Sequence, residues 1–433
     1  MSIQKKQTLS KLYTLLVVFL PVLSTYAAPG LGTAVSLGEL LLLLIVPLLI
    51  LRIFCGTQKM TRTRNVFYIY FFYAIVLTIE TSLFFVAKSK DYTMRDSIVR
   101  LIRDAFYIAL VFLFGKYFFD IDLGLRLFNL LAVALSAFII VQFCLYFFSG
   151  IYLPGVLPNA NLTVSGGIQG WELNNLFLRH AMQDGYVRAN GFMAEPAIAA
   201  QFLAVALLSA MFPINKTTDV KLACLYSMGL LLTFSANAFV ALMVCWILWL
   251  LKAKKDEKIM LCIAISFIVA IFLFPVILDN QFIGDVINRL LNIFDSGNTQ
   301  NSAAVRVIRG FAFFLEMPIF FQIFGIGFGN FIGFKSIYGI TTIYEQETEY
   351  LNTNAYIAIS TGIIGLVLFV VAILKGTKEK PFLAKAIAII LFTFGFSSSI
   401  YSTGIFVIML LFIFGLPNIN NKLLKSKMEI KND

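Results

Sequence analysis

Long apolar runs separated by polar interruptions dominate the chain. A helix that crosses a bilayer needs about 20 predominantly apolar residues. Twelve stretches approach or meet that length, near 11–28, 36–55, 65–87, 98–119, 124–148, 196–213, 220–234, 236–251, 259–278, 352–374, 382–398 and 400–417. The seventh and eighth come from one apolar stretch, Leu222 to Leu251, which is too long for a single ordinary span. A break at Ser235-Ala236-Asn237 divides it into two short helices and a tight turn. Most interruptions are brief, but two are long, 149–195 and 279–350. The pattern predicts an all-α polytopic membrane protein, with about 12 transmembrane helices at this span length. It forms a single integral membrane domain over 1–433, with no soluble domain and no internal repeat.

The two long loops have patterns of their own. The first begins rich in Gly, Asn and Pro and then becomes more helical and charged. The second contains Phe282 to Phe294, an amphipathic stretch suited to the membrane interface. It also contains Val305 to Phe324, apolar but interrupted by Arg306, Arg309, Glu316 and Pro318, which is expected to be helical and to pack back towards the bundle. Loops beyond about 15 residues are usually functional or disordered, and neither of these has a disordered composition.

Composition narrows the class. Hydrophobic residues make up 60% of the 433 and charged residues only 13%, against about 25% charged in an average soluble domain. A soluble protein is therefore excluded. The net charge of +11 could suggest nucleic acid, but its distribution argues otherwise. With both termini cytoplasmic, 19 Lys and 4 Arg lie inside and 3 Lys and 8 Arg outside, together the 34 basic residues of the chain. The inner excess, clearest at Lys252, Lys254, Lys255 and Lys258 and in the C-terminal Lys422, Lys425 and Lys427, follows the positive-inside rule and suits anionic lipid. The outer excess of arginine works against that rule. A planar, permanently charged fork suits phosphate and carboxylate recognition.

Other chemistry is excluded. Cys55, Cys144, Cys224, Cys245 and Cys262 fall in or beside spans, and neither long loop holds one. There is thus no disulfide framework and no cysteine metal site. The lone histidine, His180, rules out a multi-histidine site, so neither metal nor cofactor is expected. Lys5, Lys6, an apolar core and Tyr26-Ala27-Ala28 resemble a signal peptide. They are read as an uncleaved first helix, because further spans follow at once.

Five constellations could carry chemistry. Arg188-Ala-Asn-Gly191-Phe-Met-Ala-Glu195-Pro196 enters the sixth span. Pro196 suits a first helical turn, and Glu195 would sit at the positive end of the helix dipole. Glu195 as a mere cap, paired with Arg188, is the alternative. Arg306 and Arg309, three apart on a helix, can address one anion, or else reach for lipid headgroups. Gly325-Ile-Gly327-Phe-Gly329-Asn330 reads as a structural turn. Glu345, Glu347, Glu349, Tyr350, Asn352 and Asn354 lead into the tenth span, as sugar-hydroxyl ligands or as helix caps. Arg95, Arg100 and Arg103 lie at the outer end of the fourth span, with Arg103 and Asp104 entering it. Ionisable groups within spans face the bundle interior or a water-filled cavity, so Arg100 and Arg103 are placed by an outer cavity, with Glu80 as a partner.

These residues resemble a known family. Arg188-x-x-Gly191-x-x-x-Glu195-Pro196 in a long outer loop is similar to the Arg–Gly–Glu-Pro signature of O-antigen and exopolysaccharide repeat-unit polymerases. Arg306, Pro318, Gly325-x-Gly327-x-Gly329-Asn330, and then Asn354 before Gly362 and Gly365, look like the second half of that pattern. The likeness covers the topology of the whole chain and residue motifs over about a fifth of it. The related O-antigen ligases carry a functional histidine in the second long loop, which this chain lacks.

The resemblance implies a membrane glycosyltransferase of the GT-C type in a bacterial inner membrane, with its site facing the periplasm. Donor and acceptor would both be undecaprenyl-pyrophosphate-linked glycans. The remaining partners would be membrane lipid and a polysaccharide chain-length regulator, and no nucleic acid. Glu195 and Arg188 would be catalytic, with Glu195 as base or acceptor positioner. Arg306, Arg309, Arg103, Arg100, Asn354 and Tyr350 would bind the diphosphate or the glycan. The alternatives are the ligase, which transfers glycan to lipid A core, and a flippase for lipid-linked oligosaccharide. Transporters usually have short loops and charges near mid-membrane, whereas the charges here gather at the outer rim.

Overall fold

The computed structural model describes residues 3–31, 35–55, 66–89, 92–163, 168–184, 187–214, 217–252, 302–339 and 351–418. Regular structure among them is helical, apart from three isolated antiparallel bridges that tie Tyr26 to Leu162, Ala27 to Ser36 and Asn161 to Gln169. Among the described residues four helices are long and apolar enough to cross a membrane, Leu37–Phe54, Val66–Lys88, Ile121–Ser149 and Thr353–Thr377, and shorter apolar helices accompany them. These are the elements of a helical, multi-pass membrane protein. The candidate span at 259–278 and the amphipathic stretch at 282–294 lie outside the described residues.

The chain forms two compact units. The first contains α1 (Ile3–Leu23), α2 (Leu37–Phe54), α5 (Ile121–Ser149), α6 (Gly170–Asp184), α7 (Pro196–Met211), α8 (Val220–Leu232) and α9 (Ala236–Lys252). Helix α7 is its centre. Fourteen of its 16 residues are buried, as expected of a helix that is apolar on every side. Helices α5, α8 and α9 pack around it. The long apolar stretch breaks between Leu232 and Ala236, close to the expected turn. Phe234 takes a left-handed φ of 45° there, and Thr233 Oγ1 donates to the Leu230 carbonyl at 2.7 Å.

The second unit contains α3 (Val66–Lys88), α4 (Arg95–Ile108), α10 (Ser302–Glu316), α11 (Ile319–Phe324), α12 (Phe331–Tyr338), α13 (Thr353–Thr377) and α14 (Phe382–Ser397). Helix α4 runs on into a π-helical stretch, Ala109–Phe114, and a last turn, Gly115–Phe118. Pro318 splits the arginine-bearing stretch into α10 and α11, because a proline cannot continue a helix interior. Phe85, Phe313, Met317, Phe321, Ile326 and Phe334 form the aromatic core that binds α3, α10, α11 and α12. A final apolar helix, α15 (Gly404–Gly415), starts after a turn in which Ser402 has φ 55°.

Helix α13 is broken. Gly362 has φ 65° and ψ −174°, a conformation outside the helix and open in practice only to glycine. The break strands backbone carbonyls inside an apolar span, where each unsatisfied group costs several kcal/mol. The glycine loop after α11 supplies the donors. Ile326 N–H donates to the Ile359 carbonyl at 3.0 Å and Gly327 N–H to that of Ser360 at 2.8 Å. From α3, the Tyr73 hydroxyl donates to the carbonyls of Phe324 at 2.8 Å and Thr361 at 3.3 Å. The expected structural turn at Gly325, Gly327 and Gly329, all at positive φ, is thus the closure of a broken helix.

Candidate functional site

In the first unit the loop 187–195 is fixed before it enters α7. Gln142, buried in the C-terminal third of α5, carries it. Its Oε1 accepts from Gly191 N–H at 2.8 Å, and its Nε2 donates to the Leu153 carbonyl at 3.0 Å. Asn190 is fully buried and donates through Nδ2 to the Met193 carbonyl at 2.6 Å. Gly191 sits at φ 60°, where a side chain would also meet Leu135. Helix α6 holds the other side of this surface. Asn174 accepts from Gly155 N–H at 3.2 Å and donates to the Val156 carbonyl at 3.0 Å. Burial pushes the nearby Tyr152 phenol well above its ordinary pKa, which keeps it neutral.

Arg188 and Glu195 flank this clamped turn, and both are half-buried. Glu195 occupies the N-cap of α7 in extended conformation, and Pro196 follows at the first helical position. Its carbonyl accepts from the N–H groups of Ile198 and Ala199, both at 3.1 Å. Its carboxylate makes no capping hydrogen bond. The cap is thus a backbone one, and the acid is not used up in making it.

In the second unit Arg100 and Asp104 face each other one turn apart on α4, Nε to Oδ1 at 3.6 Å. Asp104 is buried, and Oδ1 also accepts from the Ser402 hydroxyl. The Arg100 guanidinium lies over the Tyr356 ring, Cζ 5.1 Å from the centroid. Tyr401 stacks on Phe328, centroids 5.4 Å apart, and Tyr70 donates its hydroxyl to that of Tyr401 at 3.5 Å. Arg103 is half-buried on the same helix, and its charge also acts on Asp104. Glu80, the partner expected for these arginines, is exposed on α3. Asp104 takes that place, because i and i+4 share a helix face.

Arg309 is buried at 6% exposure on α10, which packs against α13 at Gly310, Leu351 and Ala355. Arg306 lies three positions earlier on that helix, and its side chain is outside the described residues, as is Tyr350. Asn352 caps α13, accepting from Ala355 N–H at 2.9 Å and donating to the Val307 carbonyl at 3.1 Å. It therefore ties α10 to α13. Asn354 donates to the Phe392 carbonyl at 3.3 Å and lies against Gly395, between α13 and α14.

The second unit thus brings together Arg100 with Arg103 on one helix, and Arg309 with the cap that leads to Asn354. Sequence reasoning missed Gln142, Asn190, Tyr356 and Ser402, and it named Asp104 without pairing it with Arg100. A polar residue within a span signals the bundle interior, which would have flagged Gln142. The four-residue spacing of Arg100 and Asp104 would have paired them. Nothing local pointed to Ser402 or Tyr356.

No known family model matches the chain, and no curated protein matches it significantly.

Proposed function

We propose that this protein is a membrane glycosyltransferase that polymerises undecaprenyl-pyrophosphate-linked oligosaccharide repeat units into O-antigen or a related surface polysaccharide. About 12 spans, cytoplasmic termini, and a site facing the periplasm of a bacterial inner membrane belong to this reading. The observation that carries it is the clamped turn between Arg188 and Glu195. A buried glutamine and a left-handed glycine hold a short loop so that an arginine and an uncapped carboxylate flank it. Such expense on a loop suits a site rather than a linker.

In the reaction, an acceptor hydroxyl oxygen attacks the anomeric carbon of the growing glycan, and the bond from that carbon to the diphosphate oxygen breaks. Glu195 takes the hydroxyl proton or orients the hydroxyl. The negative charge gathers on the leaving lipid diphosphate. Arg188, Arg306 and Arg309 stabilise that charge, with Arg100 and Arg103 as further diphosphate ligands and Asn354 and Tyr350 towards the glycan. No nucleotide sugar takes part.

The test is a gel of surface polysaccharide from cells carrying Arg188→Ala, Arg306→Ala or Arg309→Ala at normal protein levels. Loss of the polymer ladder to core plus a single repeat unit is expected. Wild-type ladders from all three sink the reading, and polymer accumulating on the lipid carrier instead makes the protein the ligase.

The broken helix α13 favours a second reading, a transporter of lipid-linked oligosaccharide, since transporters bind substrate at discontinuous helices. In those sites the unwound backbone faces substrate. Here Ile326, Gly327 and Tyr73 already occupy the carbonyls at the break, so polymerisation stands first.

A further inference from the structure

The pair formed by Arg100 and Asp104 is built in an unusual way. Asp104 is fully enclosed, yet Oδ2 has no hydrogen-bond partner, and the enclosed Nε of Arg100 has none either. An ion pair made for stability would close side-on and satisfy both atoms, and a half-satisfied buried network is worse than an apolar core. The surroundings hold the pair open. Ser402 donates to Oδ1 from a left-handed backbone, φ 55°, a conformation that persists only where the surroundings enforce it. Tyr356 covers one face of the guanidinium. Immediately beyond, α4 turns π-helical at Ala109–Phe114, a departure that recurs at functional sites. A free arginine at a membrane edge would extend to the headgroups. Arg100 cannot, since its Nε edge faces Asp104 and its face meets the ring. Its side chain keeps 28% of its surface exposed, and through that part a guanidinium can engage phosphate.

We propose that Asp104 is a positioning residue that aims Arg100 at the diphosphate of an isoprenoid-linked substrate. Arg103 places a second guanidinium three positions away on the same helix, and two guanidiniums suit the two phosphoryl groups of a diphosphate, where a monophosphate offers one. This inference rests on the polymerase reading for its substrate but not for its test.

The experiment measures binding of geranylgeranyl diphosphate and geranylgeranyl monophosphate to the full-length protein in nanodiscs, with the melting temperature alongside. Wild type is expected to prefer the diphosphate. Asp104→Asn is expected to weaken diphosphate binding tenfold or more and to erase the preference, with little change in melting. Asp104→Glu should recover part of both. Adding Asp104→Asn to Arg100→Gln should weaken binding no further than Arg100→Gln alone.

Charge and aim pull in opposite directions here. If Asp104 acted only through its charge, Asp104→Asn would tighten anion binding, and that result overturns the proposal. So does an equal loss for both ligands accompanied by a lower melting temperature, the mark of a merely structural role. Absence of any diphosphate preference in wild type overturns it as well. Should Asp104→Asn fail to insert, Ser402→Ala reads the same point, with a several-fold loss of diphosphate binding and preference expected and wild-type binding overturning the idea. Diphosphate binding that depends on the pair, in a protein whose deletion leaves the polysaccharide ladder intact, would sink the polymerase reading and leave this inference standing.

Discussion

Gln142 grips the backbone of Gly191 from the C-terminal third of a long apolar helix, accepting from its N–H at 2.8 Å. The same amide donates to the Leu153 carbonyl at 3.0 Å, in the loop that follows α5. One side chain therefore ties the segment that presents Arg188 and Glu195 to the loop that follows α5. Gln142→Leu keeps the volume and removes the grip, leaving Gly191 N–H buried and unpaired. The expected cost is about 1–3 kcal/mol, with a larger loss of polymer than of melting temperature, since aim suffers more than fold. Ladder length on a gel, together with melting in detergent, checks this. A normal ladder would detach the loop from function.

Two glycines separate backbone strain from crowding. Gly150 and Gly191 have nearly the same left-handed φ, 67° and 60°, but only Gly191 has neighbours where a Cβ would go. Gly150→Ala should cost about 1–2 kcal/mol for the left-handed backbone alone. Gly191→Ala adds overpacking against Leu135, a further 1–3 kcal/mol approximately. Thermal denaturation of the two variants side by side should show Gly191→Ala clearly lower.

The break in α13 depends on Gly362 and on Tyr73. Gly362→Ala places a Cβ against the Ile323 and Phe324 backbone in a conformation other residues avoid, and little folded protein is expected in membranes. Tyr73→Phe removes only the hydroxyl that serves Phe324 and Thr361. A loss of about 1–3 kcal/mol is expected for the carbonyls left unpaired, together with faster hydrogen exchange at 359–362. Unchanged exchange in Tyr73→Phe would mean that the glycine loop alone closes the break.

Asn330 is the hub of the second unit's polar core. Fully buried, it donates to Thr81 Oγ1 at 2.9 Å and to the Ile326 carbonyl at 2.8 Å, and accepts from Ser82 at 3.0 Å. The Tyr92 and Ser97 hydroxyls donate to the same oxygen. Asn330→Leu orphans several groups at once, each costing roughly 1–3 kcal/mol, and the protein is expected to fail to accumulate. Asn330→Asp keeps every acceptor contact but loses both donors, so its protein level should fall between those of wild type and Asn330→Leu on an immunoblot of membranes.

The helical membrane class and the positions of most described helices were legible along the chain. An apolar run of span length leaves the backbone no satisfied state but helix, so α2, α3, α5 and α13 were legible from composition alone, as was the division of Leu222–Leu251 into α8 and α9. Pro196 and Glu195 marked a helix entry for the same local reason, a missing N–H and an exposed first turn. The tertiary structure decided what each polar residue is for. Asn352 and Asn354 looked alike in the sequence, but one became a cap that also ties α10 to α13 and the other an interhelical donor, because α14 brings the Phe392 carbonyl within reach of only one of them. The glycines at 325–329 read as a turn, and only their juxtaposition with Gly362 revealed a helix that needs them. Asp104 acquired its setting from Ser402 and Tyr356, nearly 300 and about 250 residues away. Hydrophobic length is a local property and can be read along the chain. The pairing of buried polar groups depends on which segments meet, and the chain must fold before that is settled.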